Sequence, residues 1–258
     1  MLSRKRIGVE IAIVLALSLG QSAVYSIVQI IDLSTRAQSL GSQSTALNPS
    51  QSSREVFDFL YQFLGIAFAA APIALVCWLL WSSARPRLGR LGIDARRPGW
   101  DLLGGAGLAL GVGACGLVVY LVGRALGITV AVSASPSSWL WWTPILLLLS
   151  ALRSAAEEEV IMIGYLFARL RELGWRDWHI LLGSALVRGS YHLYQGWGSF
   201  IGNALMGLLF GWLYAFGPRW ARGRTLPLLI AHFCIDAAVF LGYPWALSVW
   251  PALFGVTG

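Results

Sequence analysis

Long apolar runs, separated by polar or arginine-rich segments, dominate the pattern of this chain. A transmembrane helix needs about 20 apolar residues, and runs of roughly that length, bounded by charge or by glycine, proline and serine, occur along the whole chain. Gly242, Tyr243 and Pro244 separate the last two runs and form either a tight turn or a kink within one element. The predicted spans cover residues 7–31, 56–82, 101–123, 139–168, 178–194, 199–216, 226–241 and 243–256.

This pattern predicts an all-α fold, a polytopic transmembrane bundle of about eight helices, or alternatively seven. The composition agrees, because 57% of the residues are hydrophobic and 12% are charged, against roughly a quarter charged in soluble domains. One membrane domain is expected, with N-terminal helices over 1–137, a second helix bundle over 138–241 and a short C-terminal hydrophobic segment over 242–258. Within the first part, residues 34–53 are rich in Ser, Gln and Asn and predict a polar loop with little reason to fold.

The basic residues indicate how the chain is oriented in the bilayer. The chain has 19 Lys+Arg against 12 Asp+Glu, but the basic residues cluster between apolar runs instead of lining one face, so nucleic acid is not an expected partner. With the N-terminus in the cytoplasm, fourteen of the basic residues lie on the cytoplasmic side and three on the other. The positive-inside rule therefore predicts a cytoplasmic N-terminus in a multi-pass protein of a cell membrane, expected to be a bacterial plasma membrane.

Ionisable residues inside a bilayer cost several kcal/mol each unless they are paired or line a wet cavity, so they are candidates for function. Helical spacing of four places His232 and Asp236 on one face of their helix, and Arg188 and His192 on one face of theirs. The same spacing predicts that Arg153 pairs with a glutamate within its own helix. The intramembrane polar residues are Arg153, Glu157, Glu158 and Glu159 on the fourth span, Arg188 and His192 on the fifth, Asn203 on the sixth, and His232 and Asp236 on the seventh.

Two histidines and two carboxylates that converge from three helices could ligate a divalent metal such as Zn²⁺, with one position left for water. A glutamate beside that water could act as general base in peptide hydrolysis. The intramembrane charges agree with this hypothesis, because four acids and two arginines leave two negative charges for a divalent ion. The alternative is that each histidine is only an interhelical hydrogen-bond partner.

At these residues the sequence resembles the CPBP family of CAAX-protease and bacteriocin-processing (Abi) intramembrane peptidases. Glu158 and Glu159 match its double-glutamate motif, with Ile163 at the position where the family has arginine. His192 matches the histidine of the second motif, with Arg188 in place of the aromatic residue. The resemblance covers about residues 138–239, and its remaining matches are His232 and Asp236 in the third motif and Asn203 on the helix before it.

The resemblance implies that Glu158 activates water and that Glu159 supports it. It further implies that His192, His232 and Asp236 hold a metal, or in a metal-free version orient the water and stabilise the oxyanion. The expected activity is that of an intramembrane endopeptidase. Its expected substrate is a peptide or membrane protein, with or without a lipid modification, within the lipid bilayer. The alternatives are a proton- or ion-coupled carrier and a catalytically inactive scaffold or immunity-type relative.

The two departures from the motifs suggest one hypothesis, in which Arg188 brings to the glutamates the guanidinium that is missing at Ile163. One estimate argues against a single cluster. At about 1.5 Å of rise per residue, Glu158 lies about 16 Å from Arg169, whereas His192 lies about 22 Å from the start of its predicted span. Straight, upright helices would therefore leave His192 at a different depth from the glutamate.

Overall fold

A computed structural model describes residues 3–136 and 139–251 of the chain. The described residues are mostly helical, and the fourth predicted span is interrupted by a π-helical segment at Glu159–Tyr165. The α-helices are α1 (Arg4–Ala16), α2 (Leu19–Thr35), α3 (Glu55–Ala69), α4 (Ala71–Leu79), α5 (Pro98–Ala125), α6 (Thr143–Glu158), α7 (Leu166–Glu172), α8 (Asp177–Ser190), α9 (Trp197–Phe216) and α10 (Leu226–Val249).

Several helices are long and apolar enough to make this a multi-pass membrane protein. By length and composition, four helical units of the described chain qualify, namely residues 55–79 (α3 and α4 together), α5, α9 and α10. The pair α1 and α2, bent by 53° at its break, would add a fifth. The fourth and fifth predicted spans do not qualify by length and composition. Residues 143–172 carry several ionisable side chains, and α8 has 14 residues.

Two predicted spans contain a proline near which a break is possible, and only one of these prolines lies at a helix boundary. The second predicted span divides at Ala70, and Pro72 lies in the first turn of α4, where its missing N–H costs nothing. The seventh and eighth predicted spans form one helix, because α10 continues through Pro244 without a turn at residue 242. The prediction of a separate helix from 243 is therefore wrong as far as Val249. Residues 252–256 of that span, the end of the 242–258 segment and the 137/138 boundary lie outside the described residues.

The structure is mostly helical, as predicted, but a short sheet accompanies the helices, and the prediction of a polar 34–53 loop with little reason to fold is wrong. Residues Ser44–Ala46 (β1) pair in parallel with Ala131–Ser133 (β2), with Thr45 opposite Val132. The loop is ordered because the amide of Gln43 donates to the carbonyls of Leu33 and Gln38, at 2.8 and 3.2 Å. Side-chain and strand hydrogen bonds thus supply the order that the polar composition did not predict.

The π-helical segment lies at the centre of the bundle. All of its residues are buried. Val160, Ile161 and Met162 pack in a cluster with α1, α2 and α4, whereas Ile163 packs with α8, α9 and α10. The segment therefore joins the two halves of the core, and the glutamates at its start are held in a fixed surround.

Two arginines that the topology argument counted as surface charges are buried in ion pairs. Arg169 donates to Glu10 at 2.7 Å and joins α7 to α1. Arg224 donates to Asp101 and Asp94 at 2.6 and 3.0 Å. Burial raises the pKa of Asp94, but hydrogen bonds from Arg96 N–H and Arg224 outweigh it and hold the pKa below its ordinary value.

Candidate active site

Glu158 and Glu159 occupy the junction between α6 and the π-helical segment. Both side chains are buried, at 5% and 0% exposure. A π-helical turn within an α-helix is rare and frequently marks a functional site. The junction presents two neighbouring carboxylates to the same interior position, which a sequence pattern of period 3.6 does not predict.

Arg188 of α8 bridges these two carboxylates. Its Nε lies 3.2 Å from Glu158 Oε2, and its Nη2 donates to Glu159 Oε1. The side chain is buried, and its guanidinium also lies over the ring of Phe210, 5.6 Å from the centroid. The hypothesis that Arg188 brings a guanidinium to the glutamates from a neighbouring helix is confirmed in its geometry, while Ile163 lies in the apolar cluster.

A glycine of α9 leaves room for the side chain of Arg188. A Cβ added at Gly207 would lie 3.0 Å from Arg188 Cδ and 3.1 Å from Ala185 Cα. The glycine therefore allows α8 and α9 to approach closely at the depth of the arginine.

The second histidine motif reaches the glutamates through the turn that follows α8. The helix ends at Ser190, and Tyr191 donates its hydroxyl to Glu158 Oε2 at 2.8 Å. His192 Nε2 lies 3.7 Å from Glu158 Oε1. The depth estimate that separated the two was wrong because helical structure continues to Glu172 instead of ending near Arg169, so Glu158 and His192 lie at similar distances from the α7–α8 turn.

His232 and Asp236 complete the cluster from α10. His232 Nδ1 is hydrogen-bonded to Glu159 Oε1 at 2.8 Å, and its Nε2 lies 3.6 Å from Asp236 Oδ2. The predicted shared face of these two residues is thus present, and it faces the second glutamate.

Two of the predicted supporting residues do not reach this cluster. Arg153 donates to Glu157 at 2.7 Å, which confirms the ion pair predicted within that helix. Asn203 donates to Ser199 O within α9 at 3.0 Å, and the described residues show no hydrogen bond from it to the glutamates or histidines.

A cavity of about 570 Å³ opens onto Glu158 and His192. Its wall includes Tyr191, Tyr194 and Arg153, together with residues of α2 and β1. Several polar atoms of the cluster are buried without a hydrogen-bond partner, and an unsatisfied buried polar atom is a natural position for water or substrate. These atoms are Glu159 Oε2, Arg188 Nη1, and both ring nitrogens of His192.

The donor set does not fit the expected metal. Among the described residues no group of three or more His, Cys, Asp or Glu side chains is arranged to hold a metal ion. Both ring nitrogens of His232 face carboxylates, so neither is directed at a position shared with His192. The guanidinium of Arg188 lies between the two glutamates and is paired with both of them.

The sequence argument missed Tyr191 and the contribution of α2. Ser26 of α2 donates to Tyr191 O at 2.9 Å and so holds the turn that carries His192. The only sequence signal for Tyr191 is its position next to the motif histidine. No spacing in the sequence links α2 to the later helices.

Comparison with known proteins agrees with the motif reading. Residues 139–238 match the family model described as Type II CAAX prenyl endopeptidase Rce1-like. No match was found among curated proteins or among solved structures. The matched segment contains the glutamates, Arg188, His192 and His232, so residues 139–238 are similar to the CAAX-protease family that the motifs predict.

Proposed function

We propose that this protein is an intramembrane endopeptidase in which Glu158 activates the water that hydrolyses a peptide bond. The observation that carries the proposal is the position of His192 Nε2 at the cavity wall, 3.7 Å from Glu158 Oε1. Among the described residues this nitrogen has no hydrogen-bond partner. A water about 2.8 Å from both atoms would fit beside them. The substrate is a peptide or membrane protein, and the family match supports a lipid-modified C-terminal peptide as the first candidate.

The surrounding residues give the two carboxylate oxygens of Glu158 different roles. Glu158 Oε2 accepts hydrogen bonds from Tyr191 and Arg188, which leaves Oε1 to take a proton from the attacking water. The hydroxide oxygen then bonds to the carbonyl carbon of the substrate, and a donor from His192 stabilises the resulting oxyanion. The proton held on Glu158 passes to the leaving amine as the carbon–nitrogen bond breaks.

Glu159, His232 and Asp236 hold this arrangement in position. Glu159 shares Arg188 with Glu158, and His232 links Glu159 to α10. The donor geometry supports the metal-free version of the chemistry, and the metal-assisted version with His192, His232 and Asp236 as ligands remains the alternative proposal. Full activity after dialysis against a chelator is the expected result, and loss of activity that Zn²⁺ restores would favour the alternative.

Cleavage by purified protein in proteoliposomes tests the function. The probe is an internally quenched farnesylated peptide ending in a Cys-aliphatic-aliphatic-X sequence. Glu158→Gln should lower kcat by about 10²–10⁴-fold because it removes the general base without changing shape. The matched control is Glu157→Gln, which changes the neighbouring carboxylate outside the cluster and should retain most activity.

Two outcomes contradict the proposal. Equal rates for wild type and Glu158→Gln would remove Glu158 as the base. Binding of the peptide without cleavage by the wild type would favour the inactive scaffold, and ion flux in the same vesicles would favour the carrier.

We also propose that the N-terminus is cytoplasmic in a bacterial plasma membrane and that the chain crosses the bilayer seven or eight times. The distribution of basic residues supports the orientation. The continuous α10 supports the lower number of spans.

A further inference from the structure

One edge of the short sheet has unpaired backbone groups. Ala131 N–H donates to Gln43 O, and Leu47 N–H donates to Ser133 O, both at 2.9 Å. Odd-numbered residues of this stretch therefore face β2, because hydrogen-bonding direction alternates along a strand. The N–H and C=O groups of Ser44 and Ala46 point to the other edge, and in the described part of the chain none of them has a hydrogen-bond partner.

This free edge lies in the cavity of the candidate active site. Thr45 and Ala46 line the same cavity as Glu158 and His192. β1 also packs against Leu193–Gln195, the turn that follows His192. An unpaired strand edge that leads to the proposed catalytic residues is a template for another extended chain.

The part of the cavity wall that α2 supplies is suited to a peptide backbone. It is polar, with Gln21, Ser22, Tyr25 and Gln29 lining the cavity. Amide and hydroxyl groups can donate to and accept from backbone groups, whereas a hydrocarbon chain would leave them unsatisfied. The lining therefore favours a peptide over a lipid chain at this position.

The path continues beyond β1. A second cavity of about 320 Å³ is lined by Leu47 and Asn48, which directly follow the strand, and by Tyr61 and Gln62 of α3. Arg153 lines both cavities, so the two are adjacent. An extended segment that follows the edge of β1 would thus run from the first cavity toward the second.

We infer that the substrate binds as an extended strand along the free edge of β1, hydrogen-bonded to the backbone of Ser44 and Ala46, with its scissile bond facing Glu158 and His192. This inference rests on the proposed endopeptidase function and deepens it. Main-chain pairing supplies affinity in this mode of recognition, and side-chain pockets on alternate residues supply selectivity. The substrate class is a peptide that can be pulled into an extended conformation over several residues.

A proline at position 46 tests the enzyme side of this pairing. Ala46→Pro removes an N–H that faces the free edge and leaves the bonds to β2 intact, since proline is tolerated on an edge strand. Its KM for the farnesylated reporter peptide should rise about tenfold, the effect of one lost hydrogen bond, with kcat little changed. The comparison variant is Ala46→Ser, which keeps the N–H, and the KM of Ala46→Pro should be about tenfold above that of Ala46→Ser. An unchanged KM in Ala46→Pro would overturn the inference.

N-methylation of the reporter peptide tests the substrate side without altering the protein. Fluorescein-labelled copies, each methylated at one backbone nitrogen, are titrated into Glu158→Gln protein, and binding is followed by fluorescence anisotropy. Affinity should fall at alternate positions only. Equal affinity at every position, or no binding of the unmethylated peptide, would overturn the inference.

The two proposals fail in different ways. An alternating pattern in binding, combined with full cleavage by Glu158→Gln, would remove the proposed function and keep the strand. Cleavage that depends on Glu158, combined with a flat methylation profile, would remove only the strand.

Discussion

Arg188 brings a guanidinium to the two glutamates from a helix other than their own. The family motif has arginine one turn after the double glutamate, where this chain has Ile163. The guanidinium of Arg188 comes from α8 and contacts both carboxylates. The prediction that Arg188 and His192 share a face of one helix is wrong, because α8 ends at Ser190 and His192 lies in the turn that follows. Packing of α8 against the π-helical segment decided which carboxylates Arg188 meets.

Substitutions at Arg188 should separate charge from geometry. Arg188→Ala and Arg188→Leu leave two buried carboxylates without their shared partner, at a cost of about 3–5 kcal/mol, and both should inactivate the protein. Arg188→Lys should retain measurable activity, because an ammonium supplies the charge but not the planar contact with two carboxylates. Reporter cleavage and the melting temperature in detergent are the measurements.

A matched control for these variants is Arg171→Leu, which removes an arginine paired with Asp177 at the end of the bundle. This variant should cleave the reporter at a rate close to that of the wild type. Equal activity in Arg188→Ala, Arg188→Leu and Arg188→Lys would show that the guanidinium has no part in catalysis.

At the scale of elements, glycines have different roles within α5. Gly104 and Gly105 pack tightly against Trp220 and Ile230. Gly107 and Gly111 have open space where a Cβ would be added. The same residue type thus marks a helix contact in one case and none in another, because the sequence does not say which face has a neighbour.

Gly207→Ala should damage the site through helix packing. Its added Cβ would press on Arg188 Cδ and on the backbone of Ala185, and overpacking of this kind costs about 1–3 kcal/mol. We expect a lower melting temperature and slower reporter cleavage. Gly107→Ala is the matched control, since its Cβ meets nothing within 4 Å and alanine favours a helix by about 1 kcal/mol. A Gly207→Ala protein as stable and active as Gly107→Ala would contradict the packing argument.

At the scale of the whole molecule, the candidate active site is assembled from parts far apart in the chain. α6, α8, α10 and the segments that directly follow α6 and α8 supply the charged groups, whereas α2 and β1 complete the cavity wall. The family match begins at residue 139 and includes neither α2 nor β1. Part of the cavity wall therefore lies outside the segment that matches the family.

The orientation of the molecule can be tested by cysteine labelling. In a variant without Cys77, Cys115 and Cys234, the exposed positions Ser39 and Ser83 are replaced by cysteine one at a time. A membrane-impermeant maleimide added to intact cells should label Ser39→Cys, on the loop that holds β1. It should label Ser83→Cys only after the cells are permeabilised, because that loop carries an arginine cluster. The reverse pattern would invert the proposed topology and place the cavity mouth on the cytoplasmic side.

The sequence by itself determined that this is a helical membrane protein and which ionisable residues lie within its apolar segments. Both conclusions depend on local composition and on the helical period, which neighbouring residues specify without reference to the rest of the chain. Only the tertiary structure decided that Arg188 bridges Glu158 and Glu159, that His192 reaches Glu158 from a turn, and that β1 borders the cavity. These contacts join residues far apart in the chain, and they depend on where helices end and how closely they pack.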